Sequence, residues 1–221
     1  MESLLFSKKD TGFHIEGFPD AAKVIKLSGK LSDQLAAYAV HHSDLRKALL
    51  ILESINGIDP SSHVVREALW HQAIVTYIKC FRFSESRMQL DEKKIYKGDP
   101  PEAFDAFRYF VALRNKSIIH DVNSFTQCLP GAVLNERGHL PKIAKIVCMG
   151  FKGSVLGQEG YSNLHLLIRK ALKWVEAKFD DVCDRITADL DAEEYDNLLN
   201  RDAITYSKPT LTDIDKARVK P

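Results

Sequence analysis

Apolar residues return at helical spacing over most of the chain, interrupted by polar stretches that mark where the helices stop. Leu35, Tyr38, Ala39, Leu45, Leu49, Leu52 and Ile55 recur mostly at steps of three and four, which predicts a first helix capped by Ser32 or Asp33. Asn56-Gly57 should end it, because both residues tolerate the left-handed conformation. A second helix is expected from about Asp59-Pro60-Ser61, where Pro60 suits a first turn, to about Phe83. Its Val65, Ala68, Leu69, Ile74, Val75, Ile78 and Phe81 form an almost continuous apolar surface, so it should be the most buried helix. Residues 84–99 are polar and read as a loop, or a loop around a short turn. Pro100-Pro101-Glu102 then opens a third helix. Phe104, Phe107, Phe110, Val111, Leu113, Ile118 and Ile119 carry its apolar side to about Asp121. The last long helix is expected from about Asn163 to Asn200, on the stripe Leu164, Leu167, Ile168, Ala171, Leu172, Val175, Phe179, Val182, Ile186 and Leu190.

Between the third and last helices the period changes. Ala132-Val133-Leu134 and Ile143 to Met149 are apolar and β-branched, and Asn135-Glu136-Arg137-Gly138 between them suits a turn. This predicts a β-hairpin near 130–150. A hairpin is marginal alone, so it should pack on the helices. Residues 1–30 show no helical period and are broken by Gly12, Gly17, Pro19 and Gly29; the run Gly12 to Gly17 reads as an extended arm. Residues 202–221 read as a flexible tail. The expected fold class is therefore mainly α, a helical bundle of about four main helices, with an inserted β-hairpin, in one domain over 31–201.

Composition narrows the function classes. With 221 residues the chain can bury a core without metals or disulfides. A net charge of +1 excludes a strongly basic nucleic-acid coat but leaves room for a local basic site. Cys80, Cys128, Cys148 and Cys183 show no C-x-x-C spacing and sit in apolar sequence, which reads as buried free thiols with no metal site. No cofactor is implied. The N-terminus lacks the basic start and apolar run of a signal peptide, and no run of about eighteen apolar residues exists. The expected location is the cytoplasm.

The sharpest chemical lead is Arg114-Asn115-Lys116-Ser117-Ile118-Ile119-His120. Spacing alone does not carry it, because Arg66 and His71 form a similar pair inside an apolar helix. The Arg114 stretch differs in three ways. Asn115 adds a second polar group, the polar residues interrupt an aromatic and aliphatic helix near its end, and His120 leads into a loop where a ligand can be reached. The stretch resembles the motif of the HEPN superfamily, found in many prokaryotic nucleases: Arg followed by Asn, Asp or His, a few residues, then His. Motif and helix order together cover roughly residues 31–200. The order also looks like the branch linked to abortive phage infection, which can carry a hairpin after the motif. Asp121 beside His120 departs from the pattern and lowers the local positive charge.

The resemblance implies a helical bundle that dimerises and a metal-independent endoribonuclease, acting on RNA as a toxin or phage-defence effector, with an antitoxin or regulatory partner. The chemistry fits the residues. Metal-free RNA cleavage needs a base for the 2′-hydroxyl, an acid for the leaving oxygen and a cation for the phosphorane. Histidine serves either proton transfer near neutral pH, and the arginine fork matches phosphate oxygens. Arg114 would bind phosphate, His120 would move the proton and Asn115 would support them, with Lys116 and Ser117 as weaker substrate contacts. On a regular helix six steps place His120 about 120° from Arg114 and about 9 Å along. One copy is thus an awkward site, and two copies about a two-fold axis suit one phosphate better.

Other readings stay open. The stretch also fits a non-catalytic RNA- or nucleotide-binding module, or a structural dimerisation protein in which Arg114 pairs with Asp105, Asp121 or a glutamate and His120 caps its helix. Ser117 has no base at nucleophile-activating spacing, which argues against a hydrolase triad. His41-His42 should be one surface and one half-buried residue. Gly150, Gly153, Gly157 and Gly160 around Lys152 and Ser154 do not match a P-loop and read as a flexible link. Trp70 and Trp174 read as core. Arg82, Arg87, Lys93, Lys94 and Lys97 read as a solvated loop that could guide RNA.

Overall fold

In chain order the computed structural model contains β1 (Phe6–Lys9), β2 (Gly12–Ile15), α1 (Lys30–Ser54), α2 (His63–Lys79), α3 (Glu92–Ile95), α4 (Pro101–Leu113), β3 (Thr126–Leu134), β4 (Ile143–Lys152), α5 (Gln158–Asp191) and α6 (Tyr195–Asn200). It describes residues 6–9, 12–15, 17–18, 20–120, 126–153, 155–205 and 210–214. The protein is mainly α-helical, with an antiparallel hairpin, β3–β4, between α4 and α5. β1 and β2 form a second antiparallel pair within the segment expected to be an extended arm. No described helix is long and apolar enough to cross a membrane.

Helix limits follow local chemistry. Gly29, at φ +89°, turns the chain into α1. At the other end α1 closes through a 3-10 turn, Ile55–Gly57, and Gly57 does not take the left-handed conformation expected of it. Before α2, Asp59 Oδ1 accepts the Ser61 N–H at 2.8 Å and the Ser61 hydroxyl at 2.7 Å, so the helix starts at His63 rather than beside Pro60. α5 stops at Asp191, short of Asn200, because the apolar stripe runs out at Leu190; extended Glu194 then separates it from α6.

The chain divides into two compact units: Met1–Arg46, Cys80–Ile95 and Lys170–Pro221 form one, Lys47–Lys79 and Tyr96–Arg169 the other. In the first, Ala37, Leu45, Cys80, Phe81, Leu90, Ala171, Val175 and Val182 are buried. His41 and His42 are both buried, correcting the expectation of one surface residue. His41 Nε2 meets the Met88 carbonyl at 2.8 Å and His42 Nε2 meets Glu176 Oε1 at 3.1 Å, partners distant in sequence that make burial affordable. Ile25 bridges Ala203, with Lys26 N–H on the Asp202 carbonyl and Ile204 N–H on the Val24 carbonyl, so the start of the tail is tied down.

Arg87 donates to Asp44 at 2.6 Å with their side chains 5% and 16% exposed, which removes Arg87 from the solvated basic loop. Asp44→Ala strands that guanidinium. It should lower stability by about 1–3 kcal/mol, read as a fall in the urea midpoint at unchanged slope.

The second unit has an aromatic core. Trp70, Tyr77, Tyr96, Phe107 and Phe110 are buried with Ile74, Ile78, Leu113, Leu164 and Ile168. Trp70 meets Phe110 edge-on at 5.9 Å, and Tyr77 meets Phe107 at 6.3 Å. The Tyr77 and Tyr96 hydroxyls are hydrogen-bonded, and Tyr96 donates onward to the Leu167 carbonyl at 3.2 Å. The hairpin differs from expectation twice. It begins at Thr126 and carries Pro130 and Gly131 inside β3, which a two-stranded sheet tolerates because each strand has an open edge. It also stands exposed instead of packing on helices: of its described side positions only Gly131 and Val147 are half-buried, and Leu134 and Ile146 are each 71% exposed. Pairing along nearly the whole of two long strands gives it more ladder than the short hairpin the sequence suggests.

Candidate functional site

α4 buries Phe107, Phe110 and Leu113, and its regular turns end there. The Arg114 N–H still bonds the Phe110 and Val111 carbonyls. From Arg114 to Ile118 the backbone widens into a π turn, closed by the Ile119 N–H on the Arg114 carbonyl at 3.0 Å. The local sequence explains the change. A turn closing five residues on places Ile118 below Leu113, where α spacing would place Ser117. The candidate residues therefore lie on a widened turn, and the regular-helix separation of Arg114 from His120 does not apply to them.

Arg114 is half-buried, and its Nη1 donates to Asn115 Oδ1 at 2.9 Å. Its Nε is buried without a hydrogen-bond partner. No described carboxylate pairs with Arg114, since Asp105 instead takes Arg108 at 3.5 Å. Asp121 lies outside the described residues, as does the loop expected just after it. Asn115 thus braces the guanidinium. Lys116 is exposed and Ser117 half-buried. His120 is exposed, and among the described residues no hydrogen bond or ion pair holds it, so it does not cap the helix. The structure brings Arg114 and Asn115 together and leaves His120 unbonded to either.

Arg66 behaves differently. Its Nη1 donates to the Ile55 carbonyl at 2.9 Å and the Ile58 carbonyl at 3.1 Å, closing the end of the first helix, while His71 faces Glu67 at 3.8 Å. Arg66→Ala should cost about 1–3 kcal/mol by stranding those carbonyls, and a denaturation curve beside an RNA-cleavage assay should show reduced stability with unchanged activity per folded molecule.

Two clefts of about 440 Å³ are present, one lined by Lys30, Asp33, Phe83 and residues 84–89, the other by Pro60, His63, Arg66, Glu67, Gly153, Val155 and Leu156. Neither is lined by a residue of the 114–120 turn, of which Arg114, Asn115, Ser117 and Ile118 are half-buried and Lys116, Ile119 and His120 exposed. Of the glycine-rich stretch, Gly150 lies in β4 and Gly160 in α5 beside Trp70, and Ser154 falls outside the described residues.

Sequence reasoning missed one pair of chemically active side chains. Cys128 and Cys148, expected to be buried, are exposed on β3 and β4 with their sulfurs 2.9 Å apart. Continuing the strand pairing outward past Pro130 would have placed them together. Among the described residues no group of three or more His, Cys, Asp or Glu is arranged to hold a metal ion. No protein-family model, curated protein or solved structure matches the chain.

Proposed function

We propose that the 114–120 turn is the phosphate-handling site of a metal-independent endoribonuclease of HEPN type, acting as a homodimer. The observation that carries this reading is the unspent chemistry of the turn: Arg114 is braced by Asn115, lacks a described carboxylate partner and keeps a buried unpaired Nε, while His120 is exposed and bonded to no described residue. Among the described residues no carboxylate neutralises Arg114, whereas Asp44 neutralises Arg87.

The reaction assigned to this turn is transesterification within RNA. One histidine takes the 2′-hydroxyl proton, the oxygen attacks the adjacent phosphorus, and a second histidine protonates the departing 5′-oxygen, leaving a 2′,3′-cyclic phosphate. Arg114 stabilises the charge that develops on the non-bridging oxygens. A single chain supplies one His120, so two copies meeting at these turns supply both proton transfers. A toxin or phage-defence role, with an inhibiting partner, is the biological setting that the family resemblance suggests.

That no described residue holds His120 also favours a second reading, a non-catalytic RNA- or nucleotide-binding module that needs only Arg114 and Lys116. Incubating the native chain with varied RNAs in EDTA separates the two. Cleavage yielding cyclic-phosphate ends is expected. Binding without cleavage would replace the nuclease reading with the binding one.

A further inference from the structure

The hairpin holds a second site, independent of the nuclease reading. Cys128 stands opposite Gly150 and Pro130 opposite Cys148, so the two cysteines are diagonal neighbours on one face of the β3–β4 ladder. Diagonal positions are usually somewhat far for a disulfide. Here both side chains are turned toward each other, and the sulfurs touch at 2.9 Å. Both residues are exposed, so an oxidant can reach them. Cys80 is buried and Cys183 half-buried, outside this pair. A tetrahedral metal site would need further ligands, and no described group of three or more ligating residues exists. Two adjacent accessible thiols without further ligands are suited to dithiol–disulfide chemistry.

We propose that Cys128 and Cys148 form a reversible redox pair that cross-links β3 to β4 by exchange with a low-molecular-weight disulfide of the glutathione type. The Cys128 thiolate attacks one sulfur of that disulfide, breaking its S–S bond and releasing one small thiolate. The Cys148 sulfur, after losing its proton to solvent, attacks the Cys128 sulfur of the mixed disulfide and expels the second small thiolate. Two protein thiols are oxidised by two electrons, and one small disulfide is reduced to two thiols. The hydrogen bond with Cys128 pushes the Cys148 thiol up, which keeps Cys148 protonated longer. The cross-link joins β3 to β4 beside the Pro130–Cys148 pair, so oxidation adds a covalent tie to the ladder there. Reduction releases it.

The test equilibrates the full chain in mixtures of reduced and oxidised glutathione, quenches by alkylation, and reads intact mass and linked peptides. The two exposed thiols should disappear together, yield one Cys128–Cys148 link within a single chain, and return in excess reduced glutathione. Cys148→Ser should stop the exchange at a glutathione adduct on Cys128. Free thiols at every ratio, separate adducts on both cysteines of the native chain, or a link between chains would overturn the proposal.

Discussion

His120→Ala is expected to lower RNA cleavage in EDTA by about 10²- to 10⁴-fold, the usual contribution of a positioned proton-transfer group. The same substitution should leave the unfolding curve almost unchanged. His120 is exposed and makes no described hydrogen bond, so among the described residues its loss creates neither a cavity nor an orphaned partner. That contrast separates chemistry from folding. Arg114→Ala is expected to reduce cleavage as well, but it removes a half-buried stem and the Asn115 contact, so its effect must be corrected for folded fraction. Parallel rate and urea-denaturation measurements check both variants. If His120→Ala cleaved as fast as the native chain, His120 would have no part in proton transfer.

Trp70→Ala is expected to remove about 3–5 kcal/mol of stability. Trp70 is wholly buried. Its ring meets Phe110 on α4 edge-on, and the first turn of α5 approaches so closely that a methyl group on Gly160 would rest 3.7 Å from the indole. Phe110 lies one turn before Arg114, so the same packing fixes the helix that presents the motif. The indole Nε1 is buried without a hydrogen-bond partner. Trp70→Phe, which deletes that unpaired donor along with part of the ring, should therefore cost clearly less than the alanine change. A urea midpoint for Trp70→Ala within error of the native value would show that the aromatic cluster does not hold α4.

The helices were legible because burial repeats with helical period, and Trp70 as core followed from its apolar neighbours. The end of the third helix was not. Ile118 and Ile119 prolong the apolar stripe, and a period count cannot register the extra residue of a π turn. His41 and His42 misled for another reason. Their partners, Met88 and Glu176, come from elsewhere in the chain, and only tertiary structure shows that a paired histidine can be buried. The same distance hid the Asp44–Arg87 pair and the meeting of Cys128 with Cys148. The hairpin starts at Thr126, before the 130–150 expected, because its first strand runs through Pro130, which an open edge permits. Of the candidate site, the sequence pointed to Arg114, Asn115 and His120, while the contact of Arg114 with Asn115 is visible only in three dimensions. What distinguished this pair from Arg66 and His71 was readable only in part: position in the helix hinted at it, and the carbonyls that occupy Arg66 completed it.

The central claim is that two copies of the 114–120 turn meet at one phosphate. A photoreactive benzophenone residue placed at Ile119, which is 46% exposed beside His120, tests this directly in solution. Irradiation followed by peptide mapping should give a covalent dimer cross-linked into residues 114–120 of the other copy. A monomer, or a dimer cross-linked only to a remote surface, would contradict the account.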